Sequence, residues 1–283
     1  MPFVAEISRT NPTCFVFLID QSGSMKEPFG GSGRVKAQGV ADAVNRLLDT
    51  IVQRCAKGET VQNRFHVGVI GYGAKTGPAF GGTLAGKGLP TISEVACHPL
   101  RLEQRTKVVH VDDGAGGVIE SKQTVKFPIW FEPQAGGLTP MCAALDQAWN
   151  LVSEFIVEHP SCYPPLVINI TDGEASDGNP EPHAEMIQQL ASNDGNVLLF
   201  NVHISSNKAA KIEFPDAPES LPDDYARLLF RMSSKLPPLM LGMAQSEGYA
   251  VSESTRGFVF NADLVSLIRF LDIGTRVGVK NQR

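Results

Sequence analysis

The chain has 283 residues, 42% of them hydrophobic, with 25 Lys and Arg against 30 Asp and Glu and a formal net charge of −5. That is enough apolar material for one large core, so a single domain over residues 1–283 is expected. There is no Lys or Arg run, and the acidic balance argues against nucleic acid as a partner.

In chain order, residues 15–19 (FVFLI) are a continuous apolar run of the kind that forms a strand buried on both faces. Residues 35–55 carry Val40, Ala43, Val44, Leu47, Leu48, Ile51 and Val52 at helical spacing. Residues 66–72 read as the next strand. Between Tyr72 and Gln134 no helical stripe is visible. Residues 77–90 are rich in Gly and Pro and read as an irregular loop, while 105–111 and 124–131 read as strands around the turn signal of 112–117. This predicts a β-hairpin and loop insertion at about 75–123. Phe80, Leu84, Leu89 and Ile92 read as exposed hydrophobes on a partner-binding rim; a solvated hairpin shielding the sheet edge is the alternative.

Pro140 suits a first helical position, which makes Thr139 the N-cap of a helix with Met141, Ala144, Leu145, Ala148, Leu151, Val152 and Phe155 on its stripe. The strand at 166–170 follows, then a helix at 182–192, a strand at 197–204, a helix at 225–233 and a helical turn or two at 240–247. A short strand at 257–260 and a helix capped by Asp263 and reaching about Ile273 end the pattern. Strand and helix in alternation predict an α/β fold, Rossmann-like and doubly wound, with a mostly parallel central sheet and helices on both faces.

Three pieces of this pattern carry chemistry. The first strand breaks into Asp20-Gln21-Ser22-Gly23-Ser24, a carboxylate and two hydroxyls at alternate positions of one short turn. Such a turn offers only oxygen, the donor that Mg²⁺ prefers. Taken alone, the same residues also suit a capped turn. The strand at 166–170 ends the same way, in Thr171-Asp172-Gly173. In open parallel sheets ligands bind beyond the carboxyl ends of the strands, where the strand order reverses. The third piece is Thr139 at a helix start.

Asp20, Ser22 and Ser24, then Thr139, then Asp172 resemble the metal-ion-dependent adhesion site of von Willebrand factor A domains, in the order that family uses. The resemblance covers nearly the whole chain. It implies that Ser22, Ser24 and Thr139 bind Mg²⁺ (or Mn²⁺) through their hydroxyls, with Asp20 and Asp172 acting directly or through water. It also implies a protein partner that supplies an Asp or Glu to the ion, in a protein-interaction module that is not an enzyme. Among intracellular relatives the chain is most similar to bacterial proteins of tellurite-resistance and stress operons, which implies a kinase, a phosphatase or an AAA+ ATPase as partner.

The five cysteines are odd in number and form no CxxC pair. With no basic segment and apolar stretch at the start, they point to reduced thiols in a cytoplasm, and no apolar run is long enough for membrane insertion. The six histidines form neither HxxxH nor HExxH. A Mg²⁺-dependent phosphohydrolase is the competing function, since Asp at a strand end also describes phosphoryl-transfer sites. The dehalogenase-type version of that site needs a second acid where Ser22 stands.

Overall fold

The computed structural model describes residues 2–29, 33–112, 118–204 and 210–275. The first apolar run is β1, Thr13–Gln21, buried along its length. Successive side chains of a strand point to opposite faces, so Phe15, Phe17 and Ile19 join one core and Cys14, Val16 and Leu18 the other. α1, Lys36–Cys55, lays Val40, Val44, Leu48 and Ile51 on the first core. β2, Phe65–Gly73, lies parallel to β1 with Tyr72 opposite Asp20, and β3, Thr76–Pro78, turns back antiparallel to β2. The short helix α2, Ile92–Cys97, precedes a long antiparallel hairpin made of β4, Arg101–Asp112, and β5, Val118–Ile129.

After the hairpin come α3, Met141–Glu158; β6, Leu166–Thr171; α4, Glu181–Gln189; and β7, Leu198–Ile204. The chain continues through β8, Ile212–Glu213; α5, Asp224–Arg231; α6, Pro238–Ser246; β9, Phe258–Ala262; and α7, Leu264–Thr275. Helices α3, α4 and α5 cover the second core, and α1, α6 and α7 the first.

Among the described residues, seven strands form one sheet in the order β8-β9-β7-β6-β1-β2-β3. β1, β2, β6, β7 and β9 are parallel, and the edge strands β3 and β8 are antiparallel. This is the expected α/β, doubly wound architecture. The chain builds outward from β1 in one direction through β2 and β3, and from β6 in the other. The order therefore reverses between β1 and β6, and the two loops that carry Asp20 and Asp172 leave from that point. Among the described residues no helix is long and apolar enough to cross a membrane.

The segment after β3 corrects the sequence reading. Thr91 accepts from the Glu94 backbone while the Glu94 carboxylate accepts from the Thr91 backbone at 2.9 Å, a capping box that starts α2 where no helix was expected. Phe80, Leu84 and Ile92 are buried, and Leu89 is packed against the second core. They are not rim residues. The backbone follows the outer side of β2: Ala79 N donates to Val69 O, Val67 N donates to Pro90 O, and Thr91 bridges to His66. By Thr91 the chain has returned to the far end of the sheet. Its apolar side chains fill the space between sheet edge and α1 with Val95, Trp130 and Phe131. The helix expected over 182–192 ends at Gln189. The expected turn at 112–117 falls mostly outside the described residues.

Beneath the loop end of the sheet runs a buried polar ladder. Asn169 and Asn201 face one another in register on β6 and β7, and Asn169 Nδ2 donates to Asn201 Oδ1 at 3.0 Å. Tyr72 Oη donates to Asn169 Oδ1 at 2.7 Å, and Asn201 Nδ2 donates to Ser233 Oγ at 3.0 Å. Each buried amide has its partners, so the ladder ties three strands together without a desolvation penalty.

Candidate metal centre

The structure gathers Asp20, Ser22, Ser24 and Asp172 into one hydrogen-bonded cluster. Asp20 is fully buried; its Oδ1 accepts from Ser22 N at 2.8 Å, and its Oδ2 from Thr171 Oγ1 at 2.9 Å and Asp172 N at 3.5 Å. Ser24 Oγ donates to Asp172 Oδ1 at 2.7 Å and lies 3.0 Å from Ser22 Oγ. Six oxygens at about 2.1 Å from a Mg²⁺ ion sit about 3 Å from their neighbours on the octahedron. The spacing of these hydroxyl and carboxylate oxygens fits that edge. Among the described residues there is no group of three or more His, Cys, Asp and Glu side chains able to hold a metal. Any cation here would rest on two carboxylates and on hydroxyls.

Among the described residues Thr139 makes no hydrogen bond to this cluster; its backbone N donates to Ser176 Oγ at 3.0 Å. It is not the helix cap that was expected: Pro140 holds the N-cap position of α3, and Thr139 O accepts from Met141 N at 2.8 Å and Ser176 N at 2.9 Å. The first amides of α3 are capped instead by Asp177, whose two oxygens accept from Cys142 N at 3.1 Å and Ala143 N at 3.0 Å. Those hydrogen bonds hold the Asp177 carboxyl below its usual range despite its partial burial.

The Thr139 loop is drawn over β1 by Gly136 N donating to Gln21 O at 2.7 Å and Gly23 N donating to Gly137 O at 3.0 Å. Gly137 has φ +85°, and a Cβ there would lie 2.5 Å from Ala74 N. Only glycine accommodates both demands. Gly137→Ala is therefore expected to push this loop off β1, lowering the melting temperature and weakening divalent-cation binding together. Calorimetry and a thermal melt on the same variant check both.

Three neighbours of the cluster were missed. Thr171, the last residue of β6, bridges Asp20 and Gly173 O. Tyr225 of α5 donates to the same Gly173 carbonyl, tying α5 to the Asp172 loop. Lys36, the first residue of α1, donates from Nζ to Asp172 Oδ2 at 2.8 Å and to Glu27 Oε2 at 2.9 Å. Lys36 lies four positions ahead of Val40, on the buried stripe of α1, and a charge on an apolar face was the available signal. Burial works to lower its pKa, but the hydrogen bonds with Asp172 and Glu27 outweigh burial and the net shift is upward. For Asp20 burial is the main cause and raises its carboxyl, with hydrogen bonds from Ser22 opposing and the nearby Asp172 adding.

His203, on β7 near the same end of the sheet, behaves as a packed core histidine. Its ring stacks on Phe260 at 4.6 Å, and Nδ1 accepts from Asn261 N at 3.2 Å. Burial lowers its pKa to about 4, against partial opposition from Asp172 and Asp223. The neutral form is the folded form. Its stabilisation is complete above an unfolded pKa of about 6.5 and is lost as pH falls towards about 4, an order of 3 kcal/mol. Melts from pH 7 to pH 4 should show a steeper loss for the native chain than for His203→Gln.

Neither the family models nor the curated proteins give a match to the chain. Solved structures do. It is similar to proximal thread matrix protein 1 from the mussel byssus, with 13% identity and a TM-score of 0.49 over 97% of this chain and 49% of that one. The same byssus protein is also matched in a form with a zinc-occupied MIDAS motif, at 14% identity and a TM-score of 0.48. The manganese-loaded TRAP protein of Plasmodium vivax matches at 14% identity and a TM-score of 0.41, over 94% of this chain and 74% of that one. The vWF domain of the pili tip protein Mfa5 from Porphyromonas gingivalis matches at 13% identity and a TM-score of 0.35, over 95% and 88%. The chain spans about half the length of the byssus protein.

Proposed function

We propose that this chain is a protein-interaction module whose Asp20, Ser22, Ser24, Thr139 and Asp172 hold Mg²⁺, or Mn²⁺, and present it to an Asp or Glu of a partner protein. The observation that carries this reading is the cluster of Ser22, Ser24 and Asp172 oxygens spaced at 2.7 and 3.0 Å beside a fixed Asp20. When bound, the ion supplies a Lewis-acidic position for an incoming carboxylate. Neutral hydroxyl donors leave more of its charge for that anion than a carboxylate cage does. The residues of the chain do the rest: Thr171 and Ser22 N hold Asp20, while Ser24 aligns Asp172.

The phosphohydrolase alternative fares worse here. The dehalogenase-type site needs a second acid near the first, and Ser22, whose backbone N donates to Asp20 Oδ1 at 2.8 Å, stands in that place. Titrating Mg²⁺ into the protein should show one saturable site. The immobilised chain should then capture proteins from its native host in millimolar Mg²⁺ and release them in EDTA. A kinase, a phosphatase or an AAA+ ATPase in the eluate would give the module the stress-operon setting implied by the resemblance. Absence of Mg²⁺ binding would overturn the reading. Phosphomonoester turnover abolished by Asp20→Ala would replace it with an enzyme.

A further inference from the structure

Lys36 stands in an unfavourable place for a cation. Its side chain is 4% exposed, and it occupies the first turn of α1, where the aligned peptide dipoles repel positive charge. No acidic residue lies in that first turn to offset the cost. What holds it is the Asp172 carboxylate, whose side chain is 0% exposed, with Glu27 on the solvent side at 57% exposure. The backbone is fixed to the same end, since Lys36 N donates to Glu27 O at 2.9 Å. Asp172 thus receives a hydroxyl on one oxygen and an ammonium on the other. A buried carboxylate without such a partner carries a large desolvation penalty.

We infer that Lys36 is the resident counter-cation of this site: it holds Asp172 in place when no metal is bound, and it opposes the ion that binds there. The inference rests on the proposed cation site and deepens it. A divalent ion arriving at Ser22, Ser24 and Asp172 meets a fixed positive charge already on Asp172, so its affinity is lower than the five ligands alone would give. The same charge adds to the pull of the loaded site on an anionic partner group. The chain is thereby tuned so that ion and acidic partner bind best together, while the empty site keeps its shape.

The test uses the full chain and Mn²⁺ alone as the probe, read by calorimetry and by melts in EDTA and in saturating Mn²⁺. Lys36→Met is expected to bind Mn²⁺ at least about tenfold more tightly than the native chain, since one charge facing the ion is gone. Its melting temperature should fall in EDTA and recover in Mn²⁺. Lys36→Arg, which keeps the charge, should retain the native affinity. If Lys36→Met folds only with Mn²⁺ present, the ion replaces the ammonium and the inference stands; Lys36→Gln then gives the affinity comparison. Equal or weaker Mn²⁺ binding by the neutral variants, or a melting loss of the same size with and without Mn²⁺, would reduce Lys36 to a structural ion pair and overturn the inference. In that case Asp20→Asn still weakens Mn²⁺ binding and the cation site survives. If neither the native chain nor any Lys36 variant takes up Mn²⁺, the cation site itself falls and the inference with it.

Discussion

Asp20→Asn is expected to weaken Mg²⁺ or Mn²⁺ binding by at least about 100-fold while moving the melting temperature in EDTA by less than about 5 °C. The loss follows from charge. The cluster has two carboxylates, and removing one withdraws half of the formal negative charge that would hold a divalent cation against its hydration. The fold tolerates the change because the amide matches the carboxylate in shape. Its oxygen keeps the bond from Ser22 N, and the Thr171 hydroxyl, no longer needed by Asp20, still has Gly173 O at 2.9 Å to donate to. Burial already disfavours the ionised form of Asp20, so the metal-free protein gives up little when that charge goes. Calorimetric titration of both chains with Mn²⁺, alongside melts in EDTA, makes the comparison. Native affinity in the variant would remove Asp20 from the ligand set.

The contrast between Asp20 and Lys36 shows what the sequence makes legible. A carboxylate that interrupts the run FVFLI announces itself, and a second at the end of LVINIT repeats the signal. Both ends meet because the strands are parallel neighbours at the point where the sheet order reverses. Lys36 gives no such signal by type, since lysines are ordinary on helices. Only its phase with Val40 and Val44 marks it as inward-facing, and phase does not say which carboxylates wait there. Thr139 shows the reverse error. Its neighbour Pro140 reads as the first residue of the helix, but the cap is supplied by Asp177 from a loop distant in sequence, which no local pattern contains. The four hydrophobes after β3 were misread because Gly and Pro around them signal irregular backbone. Irregular backbone is not the same as exposed side chains: Phe80, Leu84 and Ile92 pack as core on a loop path. The capping box of Thr91 and Glu94 was visible in the sequence and marked the fold-back.

That buried loop path leads to the largest expected loss of stability. Trp130 is 1% exposed, directly after β5, and its indole Nε1 donates to Val95 O at 2.6 Å. Its backbone N donates to Asn45 Oδ1 at 2.9 Å, and Asn45 Nδ2 donates to Phe131 O at 3.1 Å, so one residue of α1 clamps the base of the hairpin. Farther along the ribbon, Arg105 donates to Asp42 at 2.7 Å, one turn of α1 nearer the Lys36 end, and stacks over Phe127. The hairpin is thus seated on the middle of α1 and extends towards its N-terminus. Trp130→Ala removes the largest side chain of this lobe and leaves a cavity among Phe80, Leu84, Ile92 and Val95, with the Val95 carbonyl keeping only the 3.3 Å bond from His98 N. A cost of about 3–5 kcal/mol is expected, or about 10 °C in melting temperature for a chain of this size. The site end of the sheet is held by separate contacts, so the loss should be the same size in EDTA and in Mn²⁺, and the Mn²⁺ affinity of the folded variant should match the native value. A melting loss that disappears in Mn²⁺ would mean that the lobe and the Asp172 loop move together, and would contradict a purely structural role for the segment between β3 and the hairpin.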